Sequence, residues 1–209
     1  PTIFYELARD TMVEARQAGL LNVFVTNGYM TREMLDDAKD LIDAANVDLK
    51  AFNDRFYTHY VKARRKGVID SLRYMKELGI WLELTTLLIP TLNDDPAEVR
   101  EMAQFICAEL GPATPWHVSR FFPHYKELEL PPTDVEAIRK VRQIGLDEGL
   151  YYVYTGNMPW EEGEQTYCPG CSDVLIERGG YSAPVRRGIS CNRCRKCNRP
   201  SCARRASIC

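Results

Sequence analysis

The sequence predicts an α/β fold of parallel β-α units with a small cysteine-rich appendage, and three observations carry that expectation. Short apolar runs alternate with amphipathic stretches of ten or more residues, the pattern of strands joined by helical crossovers. Helix-start signals fall between the runs. Seven of the eight cysteines lie between Cys168 and Cys209, leaving Cys107 alone in a helical stretch as a small apolar residue.

Each element has a local reason. From Pro1 to Gly19, Ile3, Phe4, Leu7, Ala8, Thr11, Met12 and Ala15 recur at three and four, an apolar stripe that ends at a glycine suited to a helix C-terminal cap. A strand follows at 22–26, then the turn Asn27-Gly28 and a helix over about 31–44. Val47 to Lys50 is the second strand. Two adjoining helical stretches over about 54–78 lead to a third strand at 80–89, which Pro90 stops. Asp95-Pro96-Ala97-Glu98 combines a capping acid, a proline at the first helical position and a glutamate three residues on, opening a helix to about 110. The fourth strand covers 116–121. Thr133 and Glu136 form a second capping box, whose helix runs to about 148, and the fifth strand is 151–155. Parallel strands of this kind are expected to be covered on both faces and apolar throughout.

Hydrophobic residues make up 45% of the chain and charged ones 27%, enough apolar material for one large domain plus an appendage. No apolar run reaches the roughly 20 residues that span a bilayer, which excludes a membrane-spanning helix, and no secretory leader is recognisable. The expected compartment is the cytoplasm. Residue 1 is Pro rather than Met, inside a helical pattern, so the natural amino terminus is expected upstream. The net charge of −2 is unevenly divided, because residues 178–209 carry nine Lys and Arg and no acid. A basic stretch without interleaved aromatics is weak support for nucleic-acid recognition.

In parallel β-α architectures the chemistry sits beyond the carboxyl ends of the strands. The polar residues there are Thr26 and Asn27, Asp48 and Lys50, Asn93, Ser119 and Arg120, and Thr155 and Asn157. Asp48 and Lys50 are two apart and so share a face, with Val47 and Leu49 on the other. Such a pair is either an ion bridge at the rim of the sheet or a site for a charged small molecule. The three histidines form no metal spacing and read as structural or solvated. In the tail, Cys168-Pro-Gly-Cys171 and Cys191-Asn-Arg-Cys194 have the spacing of a four-thiolate zinc site, and Cys194-Arg-Lys-Cys197 is an overlapping candidate for the second knuckle. The expected division is a β/α domain at 1–160 and a zinc-ribbon-like tail at 161–209.

Several segments resemble one family. Pro-Thr-Ile-Phe-Tyr-Glu at 1–6, Val-Thr-Asn-Gly-Tyr at 25–29, Asn-Val-Asp-Leu-Lys-Ala-Phe at 46–52, Pro-Trp-His-Val-Ser-Arg-Phe at 115–121, Tyr-Thr-Gly-Asn at 154–157 and Thr-Tyr-Cys-Pro-Gly-Cys at 166–171 are similar to the radical SAM enzyme of the AmmeMemoRadiSam system. That family is similar to pyruvate formate-lyase-activating enzymes. The resemblance implies a partial (β/α) barrel with a 4Fe-4S cluster and S-adenosylmethionine, whose one-electron cleavage gives methionine and a 5'-deoxyadenosyl radical that abstracts hydrogen from a substrate. It also implies that Thr26 and Asn27 line the S-adenosylmethionine site, that Asp48 and Lys50 approach its amino-acid end, and that Memo-like and AMMECR-like proteins are partners; Ser119 and Arg120, at their strand end, are expected to join the cofactor site. Two departures stand out. The family's C-x-x-x-C-x-x-C cluster loop does not occur before Cys168, which implies a truncated chain inactive by itself, and 121–125 reads Phe-Phe-Pro-His-Tyr where the family usually has Phe-His-Pro-x-Tyr. The residue-level alternatives are a Schiff-base lyase using Lys50 and a zinc-ribbon module that contacts protein or RNA.

Overall fold

Five strands, all parallel and hydrogen-bonded in chain order, set the architecture of the computed structural model: β1 (Val23–Thr26), β2 (Ala44–Asp48), β3 (Trp81–Leu88), β4 (Trp116–Arg120) and β5 (Val153–Gly156). The structure describes residues 1–125, 128–158, 162–178, 189–190 and 193–200. A strand order that never reverses sends every right-handed crossover to the same side of the sheet, which is the barrel arrangement rather than the doubly wound one. The crossovers carry α1 (Tyr5–Gln17, before β1), α2 (Arg32–Ala38), α3 (Asp54–Phe56, continued by a π turn at Tyr57–Val61), α4 (Arg65–Glu77), α5 (Pro96–Phe105, extended by a π turn at Ile106–Leu110) and α6 (Val135–Asp147).

One face of the sheet is apolar and the other is not, which corrects the expectation of strands covered on both faces. Phe24, Ala45, Val47, Leu82, Leu84, Leu88, Trp116, Val118 and Val153 are buried with Leu35, Val68, Leu72, Met75, Val99, Met102, Ile138 and Val141 of the helices in one continuous core. The alternate residues, including Asn46, Asp48, Glu83, Thr85, His117, Ser119 and Tyr154, are half-buried and form an inner face. In a closed barrel such positions hold packed branched side chains; polar ones leave the interior for solvent or a ligand.

Local signals explain most boundaries. Thr31 accepts from Met34 N at 3.2 Å and starts α2, and Asp95 accepts from Glu98 N at 3.4 Å with Pro96 at the first helical position. The Glu98 carboxylate does not close a reciprocal box; it turns to Phe52 N and Asn53 instead. The second box is also corrected, since Asp134 caps α6 while Thr133 is buried, its hydroxyl donating to Leu88 O at 2.5 Å and accepting from Phe121 N at 3.1 Å. Gly28 turns the chain after β1 with φ of 71°, and a Cβ there would lie 2.5 Å from Val47 Cγ1.

After β5 the chain forms two small antiparallel pairs, β6 (Thr166–Tyr167) with β7 (Val174–Ile176) and β8 (Ile189–Ser190) with β9 (Arg193–Cys194). Their own buried cluster is Cys168, Leu175 and Cys194. Among the described residues no helix is long and apolar enough to cross a membrane.

Candidate active site and four-cysteine centre

The carboxyl end of β2 carries the most organised charge in the sheet. Lys50 Nζ lies 2.9 Å from Asp48 Oδ2, each side chain 38% exposed, beside a pocket of about 190 Å³ lined by Asp48, Lys50, Phe56, Thr85, Leu87 and Ile89. Larger cavities of about 540 Å³, beneath the β6–β7 hairpin and against the amino end of β5, and about 470 Å³, between α2 and α4, do not touch the carboxyl ends of the sheet strands. Position in the fold decides in favour of the smaller one. The backbone under the pair is held from all sides. Leu49 O accepts from Thr86 Oγ1 at 2.7 Å, Lys50 N donates to Tyr57 Oη at 3.3 Å, Lys50 O accepts from Asn93 Nδ2 at 2.6 Å, and Phe52 N donates to Glu98 Oε1 at 2.6 Å. Burial pushes the Tyr57 hydroxyl up to about 12, so it stays protonated at neutral pH. A strand end fixed this way holds two side chains in a defined geometry, which is what a binding site requires.

The other sequence candidates divide. Ser119 lies on the inner face, one level above His117 and opposite Gly156 in the register. Thr26 is buried on the helix side, where its hydroxyl accepts from Gly28 N at 3.2 Å. Asn27 is exposed, and its Oδ1 accepts from Tyr29 N at 3.1 Å. Arg120 Nε donates to Thr133 O at 2.6 Å and its guanidinium covers the Phe122 ring. Asn93 is buried and structural, with Thr155 buried beneath the sheet.

Sequence reasoning missed a second group. Register places Asp48, Thr85, His117 and Tyr154 in one row across β2, β3, β4 and β5. His117 Nε2 lies 2.8 Å from Glu83 Oε2, Trp81 Nε1 donates to Glu83 Oε1 at 3.3 Å, and the imidazole stacks on Tyr154 with centroids 5.1 Å apart. The hydrogen bond from His117 holds the Glu83 carboxyl below the usual range against the opposing effect of burial. The signal available was alternation along β3, which sets Trp81, Glu83 and Thr85 on one face; the partner strand needed the register.

In the tail, Cys168, Cys171, Cys194 and Cys197 bring their sulfurs within 4.8 Å of one another. Backbone N–H groups of Gly170 and Cys171 donate to the Cys168 sulfur, that of Asp173 to Cys171, and those of Lys196 and Cys197 to Cys194. The four thiols are not alike: the donor from Cys197 is the largest influence pulling the Cys194 thiol down to about 7, whereas burial pushes the Cys168 thiol up, and the Cys171 thiol is pushed up to about 12 against its Asp173 donor by burial and the neighbouring thiols. The second knuckle present is therefore 194–197, and Cys191 lies outside the described residues.

The sequence profile of the radical SAM superfamily matches residues 1–106. The chain belongs to the radical SAM superfamily. This radical SAM chain is 42% identical over 198 residues to an uncharacterized protein of Methanocaldococcus jannaschii, MJ0808, covering 94% of the chain and 59% of that protein. It is 25% identical over 150 residues to a putative glycyl-radical enzyme activating enzyme of the same organism, MJ1632, covering 70% of the chain and 56% of the relative. The chain thus spans somewhat over half the length of these two relatives. Its fold is shared with a crystal structure of a domain of the pyruvate-formate lyase-activating enzyme from Bacteroides vulgatus, with a TM-score of 0.64 at 17% identity over 74% of this chain and 92% of that one. Superfamily membership implies S-adenosylmethionine and an Fe-S cluster, so the cysteines here must be tested against the cluster. They do not fit it. Four sulfurs within 4.8 Å of one another leave room for one ion, not for a four-iron cubane, and no C-x-x-x-C-x-x-C loop occurs in these 209 residues.

Proposed function

We propose that this chain is the S-adenosylmethionine-binding part of a radical SAM enzyme of the activating-enzyme type. The observation that carries the reading is the Asp48–Lys50 pair, set on a braced strand end within the span that matches the superfamily. S-adenosylmethionine presents an ammonium and a carboxylate at its methionyl end. Asp48 is complementary to the first and Lys50 to the second, each through charge-assisted hydrogen bonds. The pocket of about 190 Å³ is smaller than the roughly 300 Å³ at which sites for whole small molecules begin, so it suits that end rather than the entire cofactor. Thr85 and Leu87 then form the wall toward the substrate side, and Tyr57 and Asn93 keep the strand end from yielding when the ion pair opens.

The superfamily's cofactors together supply one-electron reductive cleavage of S-adenosylmethionine, and no residue of this chain carries a step of it. The cluster loop belongs, in this reading, to polypeptide beyond these 209 residues that pairs with β1. That edge is apolar and open: Val23 and Val25 are 61% and 72% exposed, and Ile3, Phe4 and Leu7 at the start of the chain are exposed too. The division into a barrel part at 1–160 and a zinc-ribbon-like part at 161–209, and the Memo-like and AMMECR-like partners, belong to the same proposal.

A Schiff-base role for Lys50 has no support in the geometry, because that chemistry needs a desolvated amine and Lys50 is half-exposed and paired with a carboxylate. The test is to read the coding sequence upstream of Pro1, express the whole, reconstitute it without oxygen and assay 5'-deoxyadenosine after adding a strong reductant. The expected result is a C-x-x-x-C-x-x-C loop upstream and nucleoside formation that depends on S-adenosylmethionine. An upstream stop codon, or a complete protein that forms no 5'-deoxyadenosine, defeats the reading.

A further inference from the structure

We propose that Cys168, Cys171, Cys194 and Cys197 hold one zinc ion, and that this ion pins the β6–β7 hairpin against β5 and so sets Arg178 beside the Glu83–His117–Tyr154 group of the inner face. The proposal rests on reading the tail as a zinc ribbon, and adds what the metal does for the barrel.

The sulfur geometry fits a single tetrahedral ion. Zn–S bonds of about 2.3 Å place tetrahedral sulfurs about 3.8 Å apart. Cys168 Sγ lies 3.5 Å from Cys197 Sγ and Cys171 Sγ lies 3.6 Å from Cys194 Sγ, far from the disulfide distance of about 2.05 Å. The pairs that approach cross between the knuckles, joining 168 to 197 and 171 to 194, as four ligands around one centre do. Gly170 keeps the first knuckle open to the second, since a Cβ there would lie 2.9 Å from Arg199 Cδ and 3.4 Å from Cys197 Sγ. A closed four-sulfur set leaves no open position, so the ion is structural.

The hairpin cannot hold itself. Its strands are two and three residues long, and among the described residues its buried cluster is Cys168, Leu175 and Cys194, with Ile176 partly buried against it. A two-stranded ribbon with so little apolar burial is not independently stable in water. Binding free energy at a four-thiolate site is folding free energy for a segment of this size.

The hairpin reaches the inner face through a short chain of contacts. Arg178 N donates to Gln165 Oε1 at 2.6 Å and Gln165 Nε2 to Arg178 O at 2.8 Å, closing the stem. Arg178 Nη1 donates to Glu164 O at 2.9 Å and to Thr166 Oγ1 at 2.7 Å, and Thr166 Oγ1 is 2.8 Å from Tyr154 Oη. The Arg178 guanidinium covers the Tyr154 ring at 5.2 Å, and that ring stacks on His117. From the second knuckle, Arg199 covers the Tyr151 ring and donates to Tyr151 Oη at 3.2 Å, so the barrel is gripped at two points before and within β5. Arg178 adds positive charge beside the Glu83 carboxylate. With the metal in place the inner face has a cation at its β5 wall; without it, the wall ends at Tyr154.

The test uses the full chain purified with its thiols reduced. Metal analysis should give one zinc per chain, retained in Cys191→Ser and weakened at least about tenfold in Cys197→Ser. Removing the zinc with a chelator should speed amide exchange in 166–178 at least about tenfold, leave β2 and β3 protected, and shift the His117 ring signals in NMR. Arg178→Ala should shift the same ring signals while keeping the zinc. Absence of zinc, or iron in its place, defeats the zinc-ribbon reading and the proposal with it. Stoichiometric zinc whose removal alters neither hairpin exchange nor the His117 signals leaves the zinc ribbon standing and overturns the pinning role.

Discussion

Asn93 is the residue on which the proposed site depends most and which touches no ligand in it. It is 2% exposed, and it satisfies three backbone groups: Nδ2 donates to Lys50 O at 2.6 Å and Leu87 O at 2.9 Å, and Oδ1 accepts from Ile89 N at 2.7 Å. Asn93→Ala leaves all three without a partner. A buried group stripped of its partner costs about 1–3 kcal/mol, and water entering the vacated space recovers part of that, so the total should be about 3–5 kcal/mol. For a chain of this size 1 kcal/mol moves the midpoint by roughly 2–4 °C, which gives a loss of roughly 6–20 °C. Asn93→Asp separates hydrogen bonding from volume, because the shape is kept while both donors become acceptors facing the Lys50 and Leu87 carbonyls. Thermal and urea midpoints measure both variants. A loss below about 1 kcal/mol in each would refute the claim that Asn93 braces the strand end.

Three further outcomes follow from the same geometry. Lys50→Met should cost at most about 1 kcal/mol of stability, since both members of its pair are 38% exposed; a loss of several kcal/mol would mean a buried structural bridge instead. Thr133→Val should cost about 1–3 kcal/mol by urea denaturation, because Leu88 O and Phe121 N lose their shared hydroxyl; an unchanged midpoint would contradict the bridge. The Glu83 carboxyl is held below its ordinary range by His117, so its stabilising contribution is present above the ordinary glutamate value of about 4.3 and is lost as the pH falls through the depressed folded value. The stability gap between wild type and Glu83→Gln should therefore narrow from about pH 5 to pH 3, and a constant gap across that range would show that the carboxylate is not what the pair contributes.

The strands and helices were legible in the sequence where periodicity was strong, and failed to be where small residues carried it. The helix expected over 31–44 ends at Ala38; the longer expectation rested on Ala44-Ala45, which has high helical propensity, with no β-branched residue in 44–46 to mark a strand. The sheet claims that segment anyway, since Ala45 and Val47 pack opposite Leu82 and Leu84. Asp48 and Lys50 could be found from spacing alone, because residues two apart on a strand share a face. Tyr57 could not, and Asn93 could be listed as a strand-end residue but not assigned its bracing role, since each acts on the backbone of Lys50, Asn93 from 43 positions away. Glu83 and His117 required the β3–β4 register, and the choice of Cys197 for the second knuckle required the fold of the tail.

The most direct measurement is the affinity of the complete, cluster-loaded protein for S-adenosylmethionine, by equilibrium dialysis, in wild type, Asp48→Asn and Lys50→Met, with each variant checked for folding. Hydrogen bonds to charged groups contribute about 1.5–3 kcal/mol, so each substitution should weaken binding by roughly 10- to 150-fold. Wild-type affinity in both variants would make the pair an ion bridge at the rim of the sheet and would contradict its assignment to the cofactor site.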